Sequence, residues 1–407
     1  MVPNPDGNPK ASMEELVGVL REKMQALVIC ISHSWGGLEQ VAASDALEVA
    51  AKGIRVKVLC LRDSPIHHNL AKHPELQLIL LDYRPRDYFD LKLRKDLNRY
   101  FQDGVNLIHT HQTSLLGTIT PWVWNRPEIP VFASRHIMNN HNKKNFFHGM
   151  IYSRVDNLIV MSQTLRQNVI ATHPLRERQV KVVNLGLDFE RFNPATVDAE
   201  KQRAAWGADA ETVVIGLVGR IDPAKGQEIF IKAAAGLTTR ISREPGAPRK
   251  LKFIIVGEET LGSESNHLAE LKEMVKQFHL EESVVFAGFQ RNIPEVMRSF
   301  DIFVMPSRQE AFGLVAIEAM AMETPIIISS GGSASEIVGN EEFGLLMRSE
   351  DAFDLQRQLR FMIDNPESRK QMGKRAREHV MANYDKKVRL HKHLNLYERG
   401  LRKRSHL

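Results

Sequence analysis

Two glutamates, two cations and several glycines stand where they could grip an anionic, hydroxyl-bearing ligand. The segment PSRQEAFGLVAIEAMAMETPIIISSGGSASEIV (306–338) follows the apolar run DIFVM, so it leaves the carboxyl end of a strand. Glu310 lies in the loop, Phe312, Gly313 and Leu314 open a helix, and Glu318 lies inside it. Free N–H groups at a helix start bind anions, and a glycine there lets a phosphate approach closely. A carboxylate just before the helix can accept from sugar hydroxyls. One about two turns further on can accept from the paired hydroxyls of a ribose. Glutamates at such a spacing also occur as plain surface charges. The flanking Pro306-Ser307, Ala319-Met320-Ala321, Pro325 and Gly331-Gly332 make this segment more specific than the pair alone.

Other strand ends carry further candidates. In VGRIDPAKGQE (218–228), Arg220 and Lys225 stand at a turn, with Gly219 and Gly226 leaving the backbone unobstructed. Two cations at a strand end suit a diphosphate, Arg as a fork and Lys as a point charge. In HSWGGLEQVA (33–42), Gly36 and Gly37 form a tight turn before a helix, which strand-to-helix geometry alone would also require. VNLIHTHQTSLLGT (105–118) places His109 and His111 at a strand end, and SRHI (134–137) places Arg135 and His136 at the next. Two histidines at i, i+2 suggest a metal, but no cysteine or acidic residue lies beside them and no third ligand is evident. The expectation is no metal and no other cofactor.

The elements that must position these residues repeat one rhythm twice. Strand-length apolar runs alternate with helical stretches: ALVICIS (26–32), VKVLCL (56–61), LQLILL (76–81), VNLIH (105–109), PVFAS (130–134), NLIVM (157–161) and VKVV (180–183). After the turn-rich NLGLDFERFNPATVDAE (184–200) come TVVIGLV (212–218), KFIIV (252–256), SVVFA (283–287), DIFVM (301–305) and PIIIS (325–329). Continuous apolar runs are strands covered on both faces, and intervening helices imply right-handed crossovers and parallel sheets. The fold class is α/β, with two Rossmann-like doubly wound domains facing a central cleft. The boundaries read as an N-terminal extension (1–24), a first domain (25–190), a second domain (191–380) and a helical tail (381–407) with the option of crossing back to the first domain. Neither half has G-x-G-x-x-G after a strand, which counts against a dinucleotide-dependent dehydrogenase.

The segment around Glu310 and Glu318 resembles the retaining glycosyltransferases of family 4, which have the GT-B fold. Their Glu–seven residues–Glu signature matches these two positions, and the resemblance extends over most of the chain. It implies that Glu310 contacts the transferred sugar and Glu318 the ribose. It implies that Arg220 and Lys225 neutralise the departing nucleoside diphosphate. The loop with Gly36, Gly37 and Glu39 would lie under the donor phosphates, and His111 would contact the reacting sugar. Arg135 and His136 match a further cleft position, while His109 reads as structural. Leu185 replaces the asparagine usual at the family's hinge, and Glu323 stands where glycine is common. No Asp-x-Asp motif is present, so the two cations and the helix start at Gly313 would take a metal's place. The implied reaction is same-face, retaining transfer from a nucleoside-diphosphate sugar to an acceptor hydroxyl. Segments 134–162 and 184–194 look like those of bacterial cell-envelope enzymes, which points to lipopolysaccharide or another surface glycan. A sugar-nucleotide epimerase or phosphorylase of the same fold, and a non-catalytic sugar-nucleotide-binding protein, are the alternatives.

The whole chain frames this reading. It has 407 residues, 43% hydrophobic and 26% charged, and a net charge of +6 that suits an anionic partner. That charge is the sole argument for nucleic acid, which is not expected as a partner. No apolar run reaches the roughly 18 residues of a membrane span, and MVPNPDGNPK lacks a signal-peptide core, so the cytoplasm is the expected location. Cys30 and Cys60 read as core thiols. The basic amphipathic segment 86–101 and the mixed cationic–aromatic segment 139–157 serve either ordinary packing or a peripheral contact with the inner membrane face and a lipid-linked or glycan acceptor.

Overall fold

The computed structural model describes residues 12–241, 250–259, 266–308 and 312–405. The chain divides into two compact units: residues up to Leu185 together with those from Lys387 onward, and Gly186–Lys386.

In the first unit, β1 (Gln25–Ile29), β2 (Arg55–Leu61), β3 (Gln77–Leu81), β4 (Leu107–Thr110), β5 (Val131–Arg135), β6 (Val155–Val160) and β7 (Val180–Val182) make one sheet. Their order is β3-β2-β1-β4-β5-β6-β7, and every pairing is parallel. In the second unit, β8 (Val213–Val218), β9 (Leu251–Val256), β10 (Val284–Gly288), β11 (Ile302–Met305), β12 (Ile326–Ser329) and β13 (Leu345–Met347) make another. Its order is β10-β9-β8-β11-β12-β13, again all parallel. Runs without polar alternation become strands with both faces covered: all five residues of β1 are buried, as are all four of β11 and β12. The strand β13 is absent from the expected set, because three residues at a sheet edge are too short to set a pattern.

Both chains of strands wind outward in one direction and then jump back across their starting strand. The reversal falls between β1 and β4 in the first unit and between β8 and β11 in the second. A crevice opens beyond the carboxyl ends at such a reversal, and ligands of doubly wound sheets bind there.

Helices seal these sheets. Met13–Lys23 begins with a reciprocal cap: Ser12 Oγ accepts from Glu15 N–H at 3.2 Å and Glu15 Oε2 accepts from Ser12 N–H at 2.8 Å. It buries Leu16, Val17 and Leu20 in the core of the first unit. The basic helix Leu91–Gln102 buries Leu93 and Leu97 and is held by Trp122 Nε1–H donating to Asn98 Oδ1 at 2.7 Å. Packing therefore accounts for that apolar face, while Phe89 and Leu91 beside it stay exposed. Cys30 and Cys60 are buried free thiols, both pushed above their ordinary value by burial.

The last helix, Lys386–Ser405, belongs to the first unit beyond its opening residue. Leu390, Leu394 and Tyr397 join the same core as the inward residues of β1 and β2. The Tyr397 ring meets Phe132 of β5 edge to face at 5.1 Å, and Arg404 Nη2 reaches Asp156 Oδ1 of β6 at 2.7 Å. No helix among the described residues is long and apolar enough to cross a membrane.

Candidate active site

The two reversal points collect most of the residues singled out by the sequence. In the second unit, Arg220 follows β8 by two positions, and its guanidinium donates to Asp222 Oδ2 at 2.8 Å. Asp222 Oδ1 accepts from Ala224 N–H at 2.9 Å, which starts the single 3₁₀ turn Pro223–Lys225. Gly226 ends that turn at φ 72°, and a Cβ on it would stand 2.3 Å from the carbonyl oxygen of Pro306. Only glycine fits this conformation and this closeness. The turn is thereby pressed against the loop that leaves β11, the hydrogen-bonded neighbour of β8.

Arg308 fastens the two. Its N–H donates to Ala224 O at 2.9 Å, and its guanidinium bonds Pro223 O and the carboxylate of Glu228. Gly219 donates its N–H to Val256 O at 2.9 Å, which continues the sheet register into the turn. The Arg220–Lys225 turn and the Gly313 helix start are thus features of one crevice end.

Gly313 caps the helix Leu314–Ala321 at φ 83° and ψ 48°. Phe312 is buried with its ring 5.8 Å from that of Tyr384, and its carbonyl accepts from Ser333 Oγ at 2.9 Å. Its ring packs edge to face against Tyr384. Leu314, at the first helical position, is half-buried. Ser307, Phe312, Ser329, Gly331 and Ser333 line a pocket between the loops after β11 and β12. Ser329 Oγ is buried there with no hydrogen-bond partner among the described residues. Glu318 is half-buried, and burial pushes its carboxyl up to about 7 although Arg191 pulls the other way. Glu310 lies outside the described residues.

The same helix ends in a reciprocal C-terminal cap. Glu323 N–H bonds Met320 O and Thr324 N–H bonds Ala319 O, both at 3.0 Å, with Glu323 at φ 61°. This is the left-handed position that glycine usually fills. The departure noted at Glu323 is therefore a backbone matter.

In the first unit, the loop after β1 leads to Gly36 and the helix Gly37–Ala50. Glu39 is buried, and its Oε2 accepts from Gly36 N–H at 2.8 Å, so it serves the turn itself. A Cβ on Gly37 would meet nothing within 4 Å, which leaves that side of the helix start open among the described residues. Gln112, just after β4, clamps this loop from across the reversal point: its Oε1 accepts from Ile31 N–H at 2.7 Å and its Nε2 donates to Ile31 O at 2.5 Å.

His109, His111 and His136 are all buried. His109 Nδ1 lies 2.6 Å from Tyr397 Oη and Nε2 lies 2.8 Å from Ser134 Oγ. His111 Nδ1 lies 3.2 Å from His136 Nε2, and His111 Nε2 lies 3.6 Å from Asp45 Oδ2. Asp45 binds the Arg389 guanidinium, and His393 Nδ1 lies 3.3 Å from its Oδ1. Burial holds His109 and His111 well below their ordinary values, His136 at about 4 and His393 at about 3. These rings are neutral at neutral pH.

Asp45, His109 and His111 each bring a possible metal-ligand atom within 4.8 Å of one another. However, both His109 nitrogens are hydrogen-bonded and the Asp45 carboxylate carries a guanidinium, so the cluster reads as a bonded polar core. Arg135 donates from Nε to Ile137 O at 2.9 Å and from Nη1 to Thr113 Oγ1 at 3.2 Å. With His136, Ser134, Asp45, Arg389 and His393 it lines a pocket of the first unit.

With this geometry in place, the relationships of the chain become interpretable. Residues 35–191 match the family described as Glycosyltransferase Family 4, and residues 198–379 match Glycosyl transferases group 1. The chain belongs to these glycosyltransferases. It is 26% identical over 378 residues to a D-inositol 3-phosphate glycosyltransferase of Saccharomonospora viridis, covering 85% of each chain. It is 28% identical over 260 residues to the mannosylfructose-phosphate synthase of Agrobacterium fabrum, covering 62% of this chain and 55% of that one. Its fold matches a Rickettsia africae glycosyltransferase with TM-score 0.83 at 18% identity, over 93% of this chain and 99% of that one. Anabaena Alr3699/HepE in complex with UDP gives TM-score 0.80 at 21% identity, over 92% and 100%. The two parallel sheets are those of the GT-B fold.

In this glycosyltransferase, several residues that build the site escaped the sequence reading: Asp45, Gln112, Arg308, Arg389, His393 and Tyr397. One signal was present. Arg389, His393 and Tyr397 recur every fourth residue beside Leu390 and Leu394, which places polar groups on the buried stripe of a helix.

Proposed function

We propose that this glycosyltransferase moves a sugar from a nucleoside-diphosphate sugar to an acceptor hydroxyl with retention and without a metal. The observation that carries the reading is the joint held by Arg308 and Gly226. It makes the Arg220–Lys225 turn and the helix start at Gly313 parts of one crevice end. Arg220 and Lys225 stabilise the departing diphosphate, helped by the N–H groups after Gly313. In the first unit, the open glycine turn Gly36-Gly37 offers its own N–H groups to an anion. Glu318 holds the ribose and Glu310 the transferred sugar. His111 and His136 contact the reacting sugar or the acceptor, with Arg135 beside them. HepE, a protein of like fold, is described with UDP and with UDP-glucose, which supports a uridine donor as the first to try.

Lipopolysaccharide or another surface glycan is the proposed acceptor class. The exposed Phe89, Leu91, Phe146 and Ile137, with Lys144 nearby in sequence, support peripheral contact with an anionic membrane carrying such an acceptor. The names of two relatives favour a second class, a phosphorylated polyol or sugar. The deciding experiment incubates purified protein with UDP- and GDP-sugars and both acceptor classes, with and without EDTA. Anomeric analysis of the product by NMR follows. Retained configuration and EDTA-insensitive turnover are expected. An inverted product, or activity abolished by EDTA and restored by a divalent cation, would overturn the mechanism.

A further inference from the structure

Behind the carboxyl ends of β4 and β5, three buried side chains stand in line. Asp45 Oδ2 is 3.6 Å from His111 Nε2, and His111 Nδ1 is 3.2 Å from His136 Nε2. The two rings are stacked with centroids 5.4 Å apart and planes 18° apart. The far end of the line, His136 Nδ1, is buried, lacks a hydrogen-bond partner among the described residues, and belongs to a residue lining the pocket of the first unit.

The near end is fixed from the other side. Arg389 and His393, from the returning helix, occupy Asp45 Oδ1, and Arg389 also donates to Glu48 Oε2 at 2.9 Å. Arginine is a lasting cation that only donates, so it favours Asp45 as a carboxylate and holds it in one orientation. A carboxylate oxygen at 3.6 Å is too far for a good hydrogen bond, yet in a buried site it still favours the tautomer with its proton on the facing nitrogen. His111 then carries its proton on Nε2 and a lone pair on Nδ1. The contact at 3.2 Å needs a donor opposite that lone pair, so His136 is protonated on Nε2. Its Nδ1 is left bare. Burial keeps both rings neutral, as this order requires.

We propose that Asp45 is a positioning residue that sets the proton order of the His111–His136 pair, so that His136 Nδ1 accepts a hydrogen bond from a sugar hydroxyl. The second half of this rests on the proposed reading that the histidine pair meets substrate. The first half does not.

The test uses the full chain with ¹⁵N-labelled histidine, because protonated and bare ring nitrogens separate widely in the spectrum. Wild type should show His111 and His136 both protonated on Nε2. In Asp45→Asn, the amide donates to His111 Nε2 and the order reverses, leaving His136 Nδ1 protonated. The kcat for transfer should fall roughly 10–100-fold, the scale on which losing the partner that orients a metal-bound histidine acts, with KM for donor within about twofold. If Asp45→Asn alone does not fold, the double variant Asp45→Asn, Arg389→Gln replaces the ion pair by two amides and carries the same reversal. A folded variant with unchanged proton order overturns the proposal. Donor hydrolysis without acceptor tells the sources apart. Loss of hydrolysis and transfer together assigns the hydroxyl to the donor sugar, and loss of transfer alone assigns it to the acceptor. If His136→Ala transfers at the wild-type rate, the reading of the pair as substrate-facing falls, while the tautomer result still decides the role of Asp45.

Discussion

The two units solve the same topological problem with opposite chemistry. Each reverses its strand order at the middle of the sheet, and each fastens the two loops at that point with one side chain. In the first unit the clamp is a neutral amide, Gln112, and the nearby imidazoles are kept uncharged by burial. In the second the clamp is a guanidinium, Arg308, among Arg220, Lys225 and Glu228. A polyanion calls for cations that do not lose their charge near neutral pH, whereas hydroxyls are best read by neutral groups of fixed orientation. The doubly wound sheet supplies the place, and the loop side chains decide what is held there.

Four changes test this contrast, beginning with the most severe. A chain ending at Lys386 removes Leu390, Leu394 and Tyr397 from the first core while leaving the second unit whole. Each lost side chain is worth about 2–5 kcal/mol, so the first unit should lose its cooperative transition in calorimetry while the second keeps one. Two surviving transitions would show that the first core does not depend on the returning helix. Next, Lys225→Ala should lower transfer about 10²–10³-fold without altering the melting profile. Near-normal turnover would remove the charged character claimed for the second crevice.

The third test is acidification, where the units should respond with opposite sign. Burial depresses His109, His111, His136 and His393 below their usual 6.5. Below that pH the unfolded chain takes up protons that the folded chain refuses, so stability of the first unit drains as pH falls from about 6.5. The loss is on the order of 2 kcal/mol per histidine at pH 5. Glu318 is raised from 4.5 to about 7, so the folded chain keeps a proton that the unfolded chain has released. Its contribution is whole below about 4.5 and is lost as pH rises through about 7. Glu318→Gln should flatten the pH dependence of the second unit in that window by on the order of 2 kcal/mol. Equal slopes for both units would contradict the assignment. The smallest effect is expected at Glu323. Replacing it by glycine relieves a left-handed residue at a helix cap and should raise stability of the second unit by about 1 kcal/mol, seen as a higher denaturation midpoint.

Much of this was legible in the chain itself. Unbroken runs such as VICIS, FIIV and IFVM cannot sit in any exposed or alternating strand, so parallel sheets followed. The Arg220–Lys225 turn and the Gly313 helix start were readable because each is a local pattern at a strand end. What was not legible depends on groups far apart in sequence. Asp45 meets Arg389 and His393 across more than 340 positions, and Arg308 reaches Pro223 across 85. No spacing announces either pair. The strand β13 and the conformation of Glu323 escaped because one is too short for a period and the other is a backbone angle that glutamate does not advertise.

The returning helix also imposes an order on synthesis. Residues 186–386 are translated as one stretch and hold everything their own sheet needs. The first unit, although its strands leave the ribosome earlier, lacks Leu390, Leu394 and Tyr397 until some two hundred further residues have been made. The later-made unit is therefore free to fold first, reversing the usual amino-to-carboxyl sequence of domain maturation. In the meantime the earlier sheet waits with part of its apolar core uncovered. During that interval a nascent chain of this glycosyltransferase is a natural client for a chaperone.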